Sequence, residues 1–139
     1  MGGLASANRD YLVLLKQGVG AWNCGLGSNL NVTPDLCGAD LSLINLRGVN
    51  LNNTNLCEAN LSETDLLEAD LKEAQLIDAN LMGADLLDVN LMKANLRHAD
   101  LSRANLLNAN LHGAALTKAK TKFNYVVEFV SAKPAKFRL

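Results

Sequence analysis

Leucine recurs at every fifth position of this chain from Leu36 to Leu116, without a single exception. An α-helix turns by about 100° per residue, so leucines at this spacing would spread over all of its sides. In a continuous strand the same leucines would point to alternate faces of the sheet. Because neither regular element collects these leucines on one side, the period predicts a repeat architecture with its own short unit.

Small and polar residues complete the unit around each leucine. The residue before the leucine is nearly always Asp or Asn, and the residue two positions before it is most often alanine, at positions 39, 59, 69, 74, 79, 84, 94, 99, 104, 109 and 114. Positions two apart in an extended segment point the same way, so the alanine and the leucine are both predicted to face inward. Asp and Asn side chains bond nearby backbone groups, which favours turn chemistry at every corner over a set of metal ligands.

Two examples of the unit are Ala-Asp-Leu-Lys-Glu at residues 69–73 and Ala-Asn-Leu-Met-Gly at residues 79–83. This unit resembles that of the pentapeptide repeat family, and the resemblance covers roughly residues 34–118. It implies an all-β fold, a right-handed quadrilateral β-helix in which four pentapeptides, or about twenty residues, form one coil. Coils of such a helix stack about 4.8 Å apart, the spacing of neighbouring strands.

Both ends of such a stack expose backbone edges and are therefore predicted to be capped. In the N-terminal segment, residues 1–33, Asn8 is expected to cap a helix over about residues 8–23. Its apolar stripe consists of Leu12, Leu15, Val19 and Trp22. Residues 15–23 and 34–36 resemble the lead-in of cyanobacterial members of the family, from which the glycine-rich residues 24–28 depart. Residues 119–139 are predicted to be a C-terminal cap strand and tail, with residues 124–130 pairing as an edge strand or folding over the last coil.

The residue after each core leucine is predicted to point outward, and a few of these residues are large and apolar. With about twenty residues per coil, Leu67, Leu87 and Leu107 stack as a column on one face. Around a single coil, an apolar belt is formed by Ile77, Met82, Leu87 and Met92. An aligned column indicates a contact surface for a protein partner or for a second copy of the chain. The alternative is scattered surface leucine, which is common in soluble proteins.

Cys37 and Cys57 each follow a core leucine and are expected to lie one coil apart, with their α carbons about 4.8 Å from each other. This separation lies within disulfide range, although parallel stacking gives poor dihedral geometry. A redox switch and a pair of reduced neighbouring thiols are therefore both open. The chain has three cysteines and no Cys-x-x-Cys motif, which favours a reducing cytoplasm.

Charge is distributed unevenly along the chain. Residues 1–92 carry a net charge of −8 and residues 93–139 a net charge of +7. Acidic residues recur every fifth position at Glu58, Glu63, Glu68, Glu73 and Asp78, which predicts a negative ring around the rod. In family members that confer quinolone resistance, an acidic rod resembles B-DNA and binds gyrase. This chain departs from them because it is short, lacks phenylalanine in its central column and is basic in its last third.

Catalytic motifs do not emerge from the sequence. His98 and His112 are fourteen residues apart and are predicted to lie on different faces, and no P-loop, GxGxxG or HExxH motif occurs. We therefore expect no enzyme, cofactor or metal site. The formal net charge of −1 argues against a nucleic-acid partner, and no stretch approaches the roughly 18 apolar residues that a membrane span needs. The sequence favours a non-enzymatic module that presents a decorated β-helical rod to a protein partner or to itself. The alternative is a DNA-mimicking inhibitor of a DNA-binding enzyme such as gyrase.

Overall fold

The fold is a stack of square coils preceded by two short helices. The computed structural model describes residues 2–26 and 31–122, with side chains from Arg9 onward in the first range. The helices are α1, Gly2–Lys16, and α2, Val19–Leu26. From Asp35 to Lys120 the backbone forms parallel bridges between residues twenty apart, beginning with Asp35↔Asn55 and ending with Asp100↔Lys120. The predicted coil of twenty residues is thereby confirmed.

Backbone hydrogen bonds connect each coil to its neighbours on both sides. The N–H of Leu61 donates to the carbonyl of Asn80 in the next coil at 2.7 Å, and the N–H of Asn60 donates to Ala39 in the preceding coil at 2.9 Å. Each side of the square has room for only one bridge before the chain turns. Within the described residues, the sides therefore consist of isolated bridges rather than longer strands.

Every corner of the square uses the same turn. The second residue after each core leucine has a positive φ of 55–71° throughout the ladder, and only four of these seventeen residues are glycine. All of these turns but the one at residues 41–44 are closed by a bond such as that from the N–H of Ala69 to the carbonyl of Leu66, at 2.9 Å. A positive φ at the third residue of a four-residue turn is typical of type II geometry. Residues such as Glu68 and Lys93 thus adopt a backbone conformation that glycine would adopt without strain.

The leucine ladder lines the inside of the stack, as predicted. From Leu36 to Leu111 every ladder leucine is at most 1% exposed, and Leu116 in the last described coil is partly buried. The alanines two positions earlier are buried beside them. Thr64 takes an alanine position and remains satisfied there, because its hydroxyl donates to the carbonyl of Leu41 at 2.7 Å. The interior is therefore filled by side chains rather than hollow.

The N-terminal helix differs from its prediction. We expected one helix over residues 8–23 with Asn8 as its cap, whereas α1 begins at Gly2 and ends at Lys16, and α2 begins at Val19. The break lies at Gly18, whose φ of 119° is incompatible with a continuing helix. Asn8 therefore lies within α1 and not at its start. The N–H of Gly18 closes the last turn of α1 by donating to the carbonyl of Leu15 at 3.0 Å.

The predicted apolar stripe of these helices packs on the first coil. Trp22 is fully buried, Leu15 is 2% exposed, and Leu12 and Val19 are partly buried against the same core. The indole N–H of Trp22 donates to the carbonyl of Asn50 at 2.6 Å. The side-chain amide of Asn23 accepts from the N–H of Asn50 at 2.8 Å and donates to a neighbouring backbone carbonyl at 3.0 Å. Side chains of α2 thus pair with peptide groups at the edge of the stack.

At the C-terminal side the ladder runs past residue 118. The N–H of Lys120 donates to Ala99 at 2.9 Å, and the carbonyl of Lys122 accepts from Arg103 at 2.7 Å. The predicted cap strand at residues 124–130 and the tail that follows lie outside the described residues.

Candidate interaction surface

The predicted leucine column stands on one side of the square. We define the leucine face as the side that carries Leu67, Leu87 and Leu107. The N–H of Glu68 donates to the carbonyl of Leu87, and the N–H of Asp88 donates to that of Leu107, both at 3.0 Å. These bonds place the three leucines in consecutive coils, one above another. Leu107 is 48% exposed, whereas Leu67 and Leu87 are partly buried by their neighbours in the column.

Carboxylates flank the leucine column on both sides. Asp65 and Asp85 precede the core leucines of this face, and their carboxylates accept the backbone N–H of Leu67 and Leu87 at 3.1 and 3.2 Å. Glu68 and Asp88 follow the column and are exposed. With Arg47 at the top of the column, the face carries four carboxylates and one guanidinium, a net charge of −3. The face is therefore an apolar ridge between two acidic rows.

The cations near this face compensate little of its charge. Arg47 lies 3.6 Å from the carboxylate of Asp65, with 56% of its side chain exposed. Among the described residues, Glu68, Asp85 and Asp88 form no ion pair. The amide of Asn105 donates to Asp85 at 2.9 Å, which fixes the orientation of that carboxylate without neutralising it.

The predicted apolar belt divides among the four sides of one coil. Ile77, Met82 and Met92 each follow the core leucine of a different side, and none shares the side of Leu87. Met82 is 37% exposed, while Ile77 and Met92 are partly buried. A flat partner surface can contact only one side of a square rod. Such a partner could therefore contact all three leucines of the column at once, but only one residue of the belt.

The predicted thiol pair lies on the side opposite the leucine face, which we call the cysteine face and define by Cys37, Cys57 and Ile77. The N–H of Gly38 donates to the carbonyl of Cys57 at 2.9 Å, so the two cysteines occupy neighbouring coils. Both side chains are partly buried. Burial, assisted by the charge of Asp35, raises the pKa of Cys37. Fewer thiolates at neutral pH means slower disulfide exchange at this thiol.

Sequence reasoning missed the most exposed apolar side chains. Leu43 is 79% exposed and Val13 on α1 is 53% exposed. Leu43 is the second residue after a core leucine, whereas the predicted apolar surface uses only the first residue. Its backbone φ of 61° is also unusual for a bulky side chain. The position within the unit was the signal that would have found it.

The uneven charge of the sequence becomes a gradient along the stack. Residues 31–92 carry a net charge of −9 and residues 93–122 a net charge of +5.

Glu63 reaches past Gly83 to Arg103, two coils away, with 3.8 Å between their charged groups. A Cβ at Gly83 would come within 2.9 Å of the Glu63 carboxylate, so the missing side chain leaves room for this contact. Both partners are about half exposed, so the ion pair stabilises the fold little.

No three metal-binding side chains come together over residues 2–26 and 31–122. His98 and His112 lie on different sides of the square, as their spacing predicts. No helix in these two ranges is long and apolar enough to cross a membrane.

A solenoid of stacked five-residue units, with an apolar column on one side, defines a β-helical repeat protein. The model of the family described as pentapeptide repeats matches residues 35–62, 50–88 and 84–120 with eight copies, which is more than half of the chain. The chain therefore belongs to the pentapeptide repeat family, as its unit predicted. Proteins of this family fold as right-handed quadrilateral β-helices and are generally structural, non-enzymatic modules.

Solved structures of other members are similar to this chain. HetL, a protein involved in heterocyst differentiation regulation from the cyanobacterium Nostoc, is 31% identical over 62% of this chain and 48% of its own, with a TM-score of 0.53. A pentapeptide repeat protein from the thylakoid lumen of Arabidopsis thaliana is 30% identical over 61% of this chain and 59% of its own, with a TM-score of 0.60. This chain thus spans about half to three fifths of their lengths.

A third structure shows likeness of the fold alone. QnrB1, a plasmid-mediated fluoroquinolone resistance protein, is 23% identical over 58% of this chain and 39% of its own, with a TM-score of 0.54. Among curated proteins, none matches this chain.

Proposed function

We propose that this chain is a non-enzymatic interaction module that holds its leucine face out to a protein partner. The observation that carries the proposal is the column of Leu67, Leu87 and Leu107 in consecutive coils, with Leu107 nearly half exposed. Aligned apolar side chains on a rigid surface are typical of contact sites. In this proposal α1 and α2 act as a cap that protects the first coil from end-to-end association.

The proposed module works in a reducing compartment such as the cytoplasm. Support comes from the odd number of cysteines and from the absence of a Cys-x-x-Cys motif in the sequence. Fractionation of the native source tests the location, and recovery of the protein with an oxidising compartment would contradict it.

Affinity capture from native lysate tests the leucine face. We expect Leu87→Glu to lose a partner that the wild type retains, because a carboxylate in the middle of the column opposes apolar contact. Ile77→Glu is the matched control, since Ile77 occupies the same turn position on the cysteine face. Equal capture by wild type and Leu87→Glu would exclude this face. Light scattering on the same variants separates a foreign partner from a second copy, because only a homodimer changes mass without lysate.

The acidic coils favour a second candidate function, inhibition of a DNA-binding enzyme by mimicry of nucleic acid. Residues 31–92 carry a net charge of −9, and the turn residues distribute the carboxylates over successive sides. A gyrase supercoiling assay tests this candidate. An interaction module leaves supercoiling unchanged at protein concentrations at which a DNA mimic would inhibit it.

A further inference from the structure

We infer that the occupant of the leucine face is a basic amphipathic segment of a different protein, and not a second copy of this chain. The inference rests on the proposed function and specifies the chemistry of its partner. It follows from the carboxylates that surround the leucines, from the lack of ion pairs at most of these carboxylates, and from the symmetry that a homodimer would require.

The surroundings of the column determine what can cover it. A purely apolar partner that covers Leu67, Leu87 and Leu107 would also remove water from the carboxylates on either side. Glu68, Asp85 and Asp88 form no ion pair within the described residues, and the two hydrogen bonds that Asp85 accepts from Leu87 and Asn105 leave its charge without a cation. Removing an uncompensated charge from water is unfavourable. Lysine or arginine on both sides of an apolar stripe would supply the missing pairs.

A second copy places like charges against each other. A two-fold axis that lets two leucine faces meet lies in the plane of contact. If the two rods run antiparallel, Asp85 in the central coil faces Asp85 of the other copy. If they run parallel, Asp85 faces Asp88 of the other copy, and the rows of the neighbouring coils oppose each other as well. Like charges that face each other across an interface repel, so both arrangements of a homodimer are energetically unfavourable.

The size of the column also suits a single segment. Three coils at about 4.8 Å per coil place Leu67 and Leu107 about 10 Å apart. Two turns of an α-helix cover about this length. The four carboxylates flank the ridge on both sides along its upper coils, where the basic residues of such a segment would lie. The gradient of charge along the stack, from −9 to +5, would orient the basic segment toward the upper coils.

The test uses the full chain and a labelled eighteen-residue helical peptide of leucine and lysine, with one apolar and one basic face. Its counterpart keeps the leucines and replaces each lysine by glutamate. Binding is measured by fluorescence anisotropy. We expect the lysine peptide to bind, more weakly as salt increases, and the glutamate peptide to bind at least about tenfold more weakly.

Two pairs of variants locate the binding. Leu87→Ser removes apolar surface from the leucine face, and Ile77→Ser does so at the same turn position on the cysteine face. The double variant Glu68→Gln/Asp88→Asn removes two charges beside the column, and Glu58→Gln/Asp78→Asn removes two from the cysteine face. We expect Leu87→Ser to weaken binding about tenfold and the first double variant about fivefold. We expect both cysteine-face variants to remain within about twofold of wild type.

Several results would overturn the inference. Equal losses of affinity in the two double variants would mean that the peptide responds to the net charge of the protein and does not bind the leucine face specifically. Equal binding of the lysine and glutamate peptides, or full binding to Leu87→Ser, would contradict the basic, leucine-centred contact. A wild-type dimer that Leu87→Ser dissociates would establish a second copy as the occupant. In that last case the face is an interface and the proposed function stands, whereas unchanged lysate capture by Leu87→Glu removes the proposed function itself.

Discussion

The pairing of α2 with Asn50 makes a quantitative prediction about the N-terminal cap. In the next coil the equivalent residue, Asp70, donates its N–H to Val49 at 2.9 Å and accepts from the N–H of Leu51 at 2.8 Å. The same two groups of Asn50 pair instead with side chains: the indole N–H of Trp22 at 2.6 Å and the amide oxygen of Asn23 at 2.8 Å. The side chains of Trp22 and Asn23 thus replace the backbone hydrogen bonds that a preceding coil would make with Asn50. We predict that removing either weakens the fold by a measurable amount.

The expected magnitudes follow from burial and bonding. Trp22 is fully buried, and Trp22→Phe retains most of its apolar packing while it removes the donor to Asn50. A partly buried carbonyl left without a donor costs about 1–3 kcal/mol, and the smaller ring adds about 1 kcal/mol of lost packing. Asn23→Ala removes two bonds, a partly buried one from the N–H of Asn50 and an exposed one to the carbonyl of Gly48, and should cost about 1–2 kcal/mol. Both changes act on the same residue, so their combined effect should not be additive.

Urea denaturation followed by circular dichroism measures these changes in the free energy of unfolding. Asn52→Ala is the matched control, because Asn52 is exposed and its side chain makes no hydrogen bond among the described residues. This control should stay within about 0.5 kcal/mol of wild type. Light scattering on Trp22→Phe should also reveal end-to-end association if the cap loosens. A Trp22→Phe variant with wild-type stability would refute the assignment of the indole as a structural donor.

Three further predictions concern the turns, the acid range and the core. Leu43→Gly should raise stability by about 0.5–1 kcal/mol, because relief of the left-handed backbone at this exposed position exceeds the entropic cost of glycine; an unchanged or lower melting temperature would contradict this. Hydrogen bonding from the hydroxyl of Ser102 is the main cause that lowers the pKa of Asp100. A lowered pKa in the folded state contributes stability above pH about 4 that is lost as pH falls through the folded pKa. Melting temperatures from pH 6 to 2 should therefore fall less for Asp100→Asn than for wild type, and identical slopes would remove that contribution. Leu81→Lys should abolish cooperative unfolding because it buries a charge, while Met82→Lys on the neighbouring exposed position should unfold like wild type.

The repeat itself was predictable because its information is local and periodic. The spacing of alanine and leucine, two positions apart with Asp or Asn between them, predicts which side chains point inward. The recurrence of Leu67, Leu87 and Leu107 predicts a coil of twenty residues. The structure confirms both. Both features depend only on the direction in which each side chain points from the backbone. The spacing of residues in the sequence determines that direction, so contacts with distant residues are not needed to predict it.

Other features depend on context that the pattern does not contain. The apolar stripe of Leu12, Leu15, Val19 and Trp22 is spaced as in one helix, yet Gly18 divides it into two helices that still present the stripe to the first coil. The left-handed turns at glutamate, lysine and arginine contradict local preference. Hydrogen bonds to the coils above and below impose that conformation, because each turn must close in register with its neighbours. Exposure was equally unpredictable, since stacking within a column decides how far each leucine is covered.

The leucine face differs from the other sides in a way that folding does not require. At the first position after the core leucine, the other three sides carry serine, asparagine, lysine, arginine or cysteine in most coils, and those coils stack equally well. Large apolar residues occupy this position in three consecutive coils only where Leu67, Leu87 and Leu107 stand. Three positions of the unit determine the inward packing and the corner, so the remaining two are free to vary with the surface that a partner contacts. A column that the fold does not need, bordered by carboxylates that form almost no ion pairs among the described residues, is therefore a property of the surface, and the proposed apolar and basic partner would account for both features.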